Sequence, residues 1–203
     1  TPNGVLEETA GTSALIDLFS KIDLKMNEAI ALKGVDAYIK YGFTTVQEGA
    51  ATPQLCELWK KLGEDGKLLV DIACYPHLAY SKDYILKNGT SRDYINHFRI
   101  AGVKIHQDGS PQGKTAWLSS PYVVPPPGFG KNYSGYPTLP RLTLVDSLIE
   151  LAFSNGWQVL SHCNGDAASE QFIEAVKTVS DKFGITDRRS VMIHAQTVRF
   201  DQL

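Results

Sequence analysis

The stretch Trp157-Gln158-Val159-Leu160-Ser161-His162-Cys163-Asn164-Gly165-Asp166-Ala167-Ala168 decides the fold. An apolar, β-prone run ends in a histidine and an acid-bearing turn, and a helical pattern follows at once. α/β proteins deliver chemistry in this way: a buried strand carries a side chain to its C-terminal end, where the loops build the site. His162 stands at such an end. Two other stretches repeat the arrangement. Ala101-Gly102-Val103-Lys104-Ile105-His106-Gln107-Asp108-Gly109 brings up a lysine, and Ser190-Val191-Met192-Ile193-His194-Ala195-Gln196 brings up a second histidine.

Outward from these strands, residues 1–8 read as a loop. Residues 12–25 carry Leu15, Ile16, Leu18, Phe19 and Ile22 in amphipathic helical spacing, and residues 27–41 place Ile30, Ala31, Val35, Tyr38 and Ile39 on one helical face, with Gly42 as cap. Residues 43–47 form a short strand. Pro53 opens a helix that runs to Leu62 before the Gly63-Glu64-Asp65-Gly66 turn, and residues 68–75 are apolar enough for a strand covered on both faces. A short helix is expected over 91–98. Thr143 is expected to cap a helix that runs through Asn155 and ends at Gly156, and residues 169–183 form another, with Phe172, Val176 and Val179 inward. Residues 119–140 lose periodicity and fill with Pro125-Pro126-Pro127, glycines and the aromatics Tyr122, Phe129, Tyr133 and Tyr136. This long loop is expected to cover an active site. The result is an α/β chain of about five strands alternating with helices, which implies parallel pairing, in one domain over 1–203.

The chain of 203 residues, 43% hydrophobic and 21% charged, is long enough to bury a core. Its net charge of -2, without a long run of Lys or Arg, leaves no electrostatic footprint for nucleic acid or an anionic membrane. No apolar stretch approaches the roughly 20 residues of a membrane-spanning helix, and nothing at the start resembles the basic and apolar regions of a signal peptide. Cys56, Cys74 and Cys163 form neither a CxxC pair nor a disulfide framework, which favours a reducing compartment. The cytoplasm is the expected location, any N-terminal signal lying outside this chain. Thr1 in place of Met, and an end at Leu203 just after a strand, point to a piece of a longer protein. No GxGxxG or P-loop follows a strand.

Side by side, the three strands would bring Lys104, His162 and His194 to one rim. A divalent metal takes imidazole nitrogens and carboxylate oxygens, so two histidines supply part of a ligand set. Lysine joins only without its proton, or as the carbamate that a buried amine forms with carbon dioxide. The competing reading makes both histidines hydrogen-bonded core.

The segments Pro2-Asn3-Gly4-Val5-Leu6-Glu7-Glu8, Gly42-Phe43-Thr44-Thr45-Val46-Gln47, Val103-Lys104-Ile105 with Asp108-Gly109-Ser110, Thr115-Ala116, Pro121-Tyr122, His162 with Gly165-Asp166-Ala167-Ala168, and Ile193-His194-Ala195-Gln196 together resemble the amidohydrolase superfamily. The likeness is to its subgroup of metal-dependent hydrolases that includes N-substituted formamide deformylase and the YtcJ-like proteins. It spans almost the whole chain. It implies a TIM-like (β/α)8 barrel of which this chain supplies about strands 2–6. It further implies Lys104, carbamylated when two metals bind, His162 and His194 as metal ligands, with one or two Zn2+ or another divalent ion. The implied reaction is hydrolysis of an amide or formamide C–N bond in a small N-acyl or N-formyl amine. The family's first-strand HxH pair and last-strand Asp, its general base, are absent here. Smaller departures at Cys163-Asn164 and Lys114 bear on substrate.

Other residues stay open. Asp166 either orients His162 or caps the following helix, and Asp108 faces the pocket or makes a plain Asp-Gly turn. His106 shares Lys104's face of the strand or packs as core. Tyr122 and Gln196 are candidates for substrate contact, while His77 and His97 carry no expectation. The alternatives to an enzyme are a non-catalytic regulatory or binding protein of the same fold and an open-sheet binding domain. Open strand edges predict a homo-oligomer, or poor solubility, and no activity for the piece alone.

Overall fold

The structure, a computed structural model, describes residues 4–203 apart from the side chain of Thr9. Pro2 and Asn3, in the loop expected over 1–8, lie outside the described residues. Helices α1 (Thr9–Ser20) and α2 (Leu24–Ile39) lead into strand β1 (Thr45–Ala51). Then come α3 (Pro53–Glu64), β2 (Asp71–Pro76), α4 (Leu78–Asn88), β3 (Phe98–Ile100), β4 (Gly102–His106), α5 (Leu142–Ser154), β5 (Gln158–Cys163), α6 (Asp166–Phe183) and β6 (Val191–His194). Among the described residues every strand pairing is parallel. β3 and β4 are one strand broken at Ala101, whose N–H still donates to the Cys74 carbonyl at 2.8 Å, while His77 bridges Lys104 beyond the break. The described strands form an arc in chain order, an α/β architecture of parallel strands alternating with helices.

The two faces of this arc are packed differently. Ile72, Cys74, Val103, Ile105, Val159 and Cys163 belong to the main core with Leu62, Ile85, Ile149, Phe172 and Val179 of the helices. Each such side chain contributes about 1.5–3 kcal/mol on burial, so this layer fixes the helices to the sheet. Among the described residues, the buried apolar cluster of the opposite face is Ala73, Tyr75 and Leu160, with Ala101 and Ile193 against them. Tyr75 Oη donates to Gln158 Oε1 at 2.8 Å across it. Gly102 leaves room for that contact, since a Cβ there would lie 2.4 Å from the Gln158 carbonyl oxygen and 2.9 Å from the Tyr75 ring. Apolar packing thus occupies the starts of β4 and β5, and their ends are left to polar side chains.

Several local expectations are corrected. Residues 91–98 are not helical: Asn96 and His97 have φ of 50° and 65°, and Ile95 and Phe98 close a tight turn. Two successive left-handed residues exclude a helix there. The helix lies earlier, as α4, where Leu78, Ser81 and Ile85 are buried and Ser81 Oγ donates to the Ala51 carbonyl. α5 begins at Leu142 behind Arg141, so Thr143 is inside the helix and does not cap it. α1 forms, but Leu15, Ile16, Leu18 and Phe19 stay exposed. Among the described residues no helix is long and apolar enough to cross a membrane.

Candidate metal centre at the strand ends

Strand register puts the polar side chains at one level. His106 pairs with His162, Cys163 pairs with His194, and His77, just past β2, bridges Lys104. His77 Nε2 lies 2.8 Å from His106 Nδ1. The His106 ring stacks on His162 with centroids 4.6 Å apart, and His162 Nδ1 lies 3.0 Å from His194 Nε2. Four imidazoles therefore line one rim. Of these, sequence reasoning named His162 and His194, left His106 open and passed over His77. A signal for His77 was present: like His162, it stands where an apolar strand turns into a helix.

The proton on His162 is placed by its neighbour. Nε2 lies 2.8 Å from the Gly109 carbonyl oxygen, which can only accept, and 3.1 Å from Asn164 Nδ2, which can only donate; the shorter carbonyl contact assigns the proton to Nε2 and leaves the lone pair on Nδ1, facing His194. Asn164 Nδ2 donates to the same carbonyl at 2.8 Å. His194 is held by a strained turn, with φ of 74° at His194 and 47° at Ala195. Each such residue costs about 1–3 kcal/mol and persists only when its surroundings hold it. Here Ala195 N–H donates to the Cys163 carbonyl, and Thr197 N–H and Oγ1 both donate to that of Asn164. Burial, then the charges of His162 and Lys104, lowers the pKa of His194.

Lys104 is 5% exposed, and its side chain has no hydrogen bond or ion pair among the described residues. Burial lowers its pKa from 10.5 to about 8, a bias of about 3 kcal/mol against the ammonium. Its amine is thus far more available than that of a surface lysine. The donor set fits a divalent metal in part. His162 Nδ1 and His194 Nε2 are two convergent imidazole nitrogens, and Lys104 adds a donor once its proton is lost. Among the described residues no group of three or more His, Cys, Asp or Glu side chains is arranged to hold an ion.

Asp108 is 1% exposed and makes more than a plain turn. Oδ1 accepts from Asn164 N–H, and Oδ2 accepts from Gly165 and Trp117 N–H at 2.7 and 2.9 Å. Burial pushes its carboxyl up even so. His162 Nε2 is 3.8 Å from Oδ1, so Asp108 clamps its own loop, between β4 and α5, to the β5–α6 turn around that histidine. Asp166 is the first residue of α6, and Gly165 stands at the cap position. Its carboxylate accepts from Ser119 N–H and Oγ and from Arg199 Nη1, so it neither caps the helix nor touches His162. Although burial opposes it, Ser119 and Arg199 hold Asp166 below the usual carboxylate range. Gln196 is exposed just past β6. Tyr122 Oη donates its proton to the Ala116 carbonyl, which leaves its oxygen as an acceptor and its ring for other contacts.

The loop over 119–140 is internally tied. Tyr122 N–H donates to the Tyr133 carbonyl, Tyr133 Oη donates to that of Lys114, and Phe129 packs on Tyr133 with centroids 4.5 Å apart. It is anchored at the strand ends, where the Trp117 carbonyl lies so close to Gly165 that any Cβ there would sit 1.8 Å from its oxygen. A cavity of about 390 Å³ lies between Trp117, Pro140 and the first turns of α6, with none of the rim histidines in its lining, and another of about 610 Å³ lies between α3 and Tyr84.

Comparison with known proteins agrees with this architecture. YtcJ, a protein of Bacillus subtilis (strain 168) that carries an amidohydrolase name, is 33% identical over 102 residues, which are 50% of this chain and 18% of that protein. An uncharacterized metal-dependent hydrolase from Pyrococcus furiosus superposes with a TM-score of 0.80 at 23% identity, covering 98% of this chain and 39% of its own. A second, from Pyrococcus horikoshii OT3, gives 0.76 at 23% identity over 100% and 41%. The chain therefore spans well under half of the relatives it matches, and at these identities the structural likeness establishes the fold, a section of a TIM-like barrel. The family signature of the amidohydrolases runs over residues 1–203, and the chain belongs to the amidohydrolase family.

Proposed function

We propose that this chain is part of a metal-dependent hydrolase that cleaves an amide- or formamide-type C–N bond in a small N-acyl or N-formyl amine. The carrying observation is the pair His162 Nδ1 and His194 Nε2, 3.0 Å apart beside the buried, unpaired Lys104. His162 and His194 hold one or two divalent ions, zinc by preference for imidazole, and Lys104 joins them as the free amine or its carbamate. Such an ion supplies Lewis acidity, which makes water a nucleophile at neutral pH and polarises a carbonyl. The chain's own part is to fix ligand direction: Gly109 and Asn164 set His162, and the turn at Ala195 sets His194. In the family that the chain resembles, the general base is a last-strand Asp. Membership of the family and the names of its relatives support this reading, as does the loop over 119–140 in the role of a cover.

Metal analysis by inductively coupled plasma mass spectrometry tests it. The full-length parent protein should carry about one or two zinc per chain, and its His162→Ala/His194→Ala variant should carry almost none. Absence of metal under conditions that load a control zinc enzyme would overturn the proposal. It would favour the second reading, a non-catalytic binding protein, which the lack of a complete ligand group among the described residues supports. Pairing at the β1 and β6 edges, and so a homo-oligomer in the cytoplasm, belongs to the same proposal.

A further inference from the structure

The histidines of the other pair, His77 and His106, have a proton order that the geometry fixes. Ala79 N–H, in the first turn of α4, donates to His77 Nδ1 at 3.2 Å. A backbone amide only donates, so Nδ1 is bare and the His77 proton sits on Nε2. That nitrogen is 2.8 Å from His106 Nδ1, so His77 donates and His106 Nδ1 accepts. His106 is left with its own proton on Nε2. A proton on Nδ1 as well would set two N–H groups head to head. His106 Nε2 has no protein partner among the described residues and is not among the side-chain atoms sealed from solvent without one. The ring stacks on His162, so this free N–H stands next to the candidate metal ligands.

We infer that His106 is a neutral hydrogen-bond donor for the acyl oxygen of the substrate and not a metal ligand, with His77 as the residue that positions it. The inference rests on the proposed amide hydrolysis. When water adds to an amide carbonyl, negative charge grows on the oxygen, and a donor already in place stabilises it without reorganising. Being neutral, His106 donates without repelling a nearby cation. The chain Ala79 to His77 to His106 holds the donor in one tautomer, so the site selects ligands that bring an acceptor oxygen to the rim.

Long-range 1H–15N NMR of the protein with 15N-labelled histidine reads each nitrogen in three states: metal-free, with zinc, and with zinc plus formamide as probe. His77 and His106 should show a protonated Nε2 and a bare Nδ1 throughout. Zinc should move His162 Nδ1 and spare His106 Nε2, and formamide should shift the His106 Nε2 proton saturably. His77→Asn keeps an acceptor for α4 but removes the ring donor, so it should let the second His106 tautomer appear. Introduced into the full-length protein, it should also lower turnover of an N-formyl amine about 10-fold at unchanged zinc content and melting temperature. A proton on His106 Nδ1, a zinc-induced shift at its Nε2, or no response up to molar formamide would overturn the inference while zinc binding stands. Absence of zinc binding with both tautomers intact would instead sink the metal-hydrolase reading.

Discussion

Two histidine pairs sit on the same rim with nearly equal N···N separations, 2.8 Å for His77 and His106 and 3.0 Å for His162 and His194, yet their outer partners are opposite in kind. A backbone N–H faces His77 and a backbone carbonyl faces His162. The donor drives the proton along the first pair to an exposed nitrogen, and the acceptor draws the proton out of the second, leaving a lone pair at its centre. Separation alone does not tell a ligand pair from a hydrogen-bonded one. The group on the far side of each ring does.

The comparison breaks most plainly on metal content. His106→Asn should keep the one or two zinc per chain that His162→Ala/His194→Ala loses; zinc lost from His106→Asn would make the two pairs equivalent. Asp108→Ala should come next, because it leaves the buried N–H groups of Asn164, Gly165 and Trp117 without their acceptor. At about 1–3 kcal/mol for each, urea unfolding should show a loss of at least about 3 kcal/mol, and a loss below about 1 would mean the clamp is replaceable. Asn164→Ala removes the second donor on the Gly109 carbonyl but leaves the His162 contact. Zinc affinity should fall about 10–100-fold in a competition titration, and an unchanged affinity would remove Asn164 from the site. His97 marks the small end of the scale. It bonds Asp71 at 2.8 Å on the exposed far end of β2, so His97→Ala should change stability by no more than about 0.5 kcal/mol and leave metal content alone.

Much of the architecture was legible. Apolar runs ending in Lys104, His162 and His194 announced β4, β5 and β6, and the register put the two histidines beside each other. The same periodic reasoning failed where a local pattern was ambiguous. Residues 91–98 have helical composition, but the Asn96 carbonyl packs on Gly63 of α3 so closely that a Cβ there would lie 2.3 Å from its oxygen, and the chain turns through two left-handed residues instead. α4 went unrecognised because its buried stripe is only Leu78, Ser81 and Ile85, with a kink at Ser81. His77 was overlooked with it, as the residue that caps that helix. Asp166 had the sequence signature of a cap, yet its carboxylate is taken by Ser119 and Arg199, 47 and 33 residues away.

By itself the sequence determined the α/β order, the family, and which residues stand at the strand ends, because strand periodicity and burial are local properties that a window of a few residues expresses. Only the tertiary structure decided which nitrogen of His77, His106 and His162 carries the proton, that Asp108 clamps its own loop to the β5–α6 turn, and that His77 joins the rim. Those outcomes depend on single donors and acceptors brought together from 53 residues apart for His162 and Gly109, 56 for Asn164 and Asp108, and 29 for His77 and His106. A hydrogen bond is settled by the direction of one lone pair, and packing sets that direction at distances where the pattern along the chain carries no information.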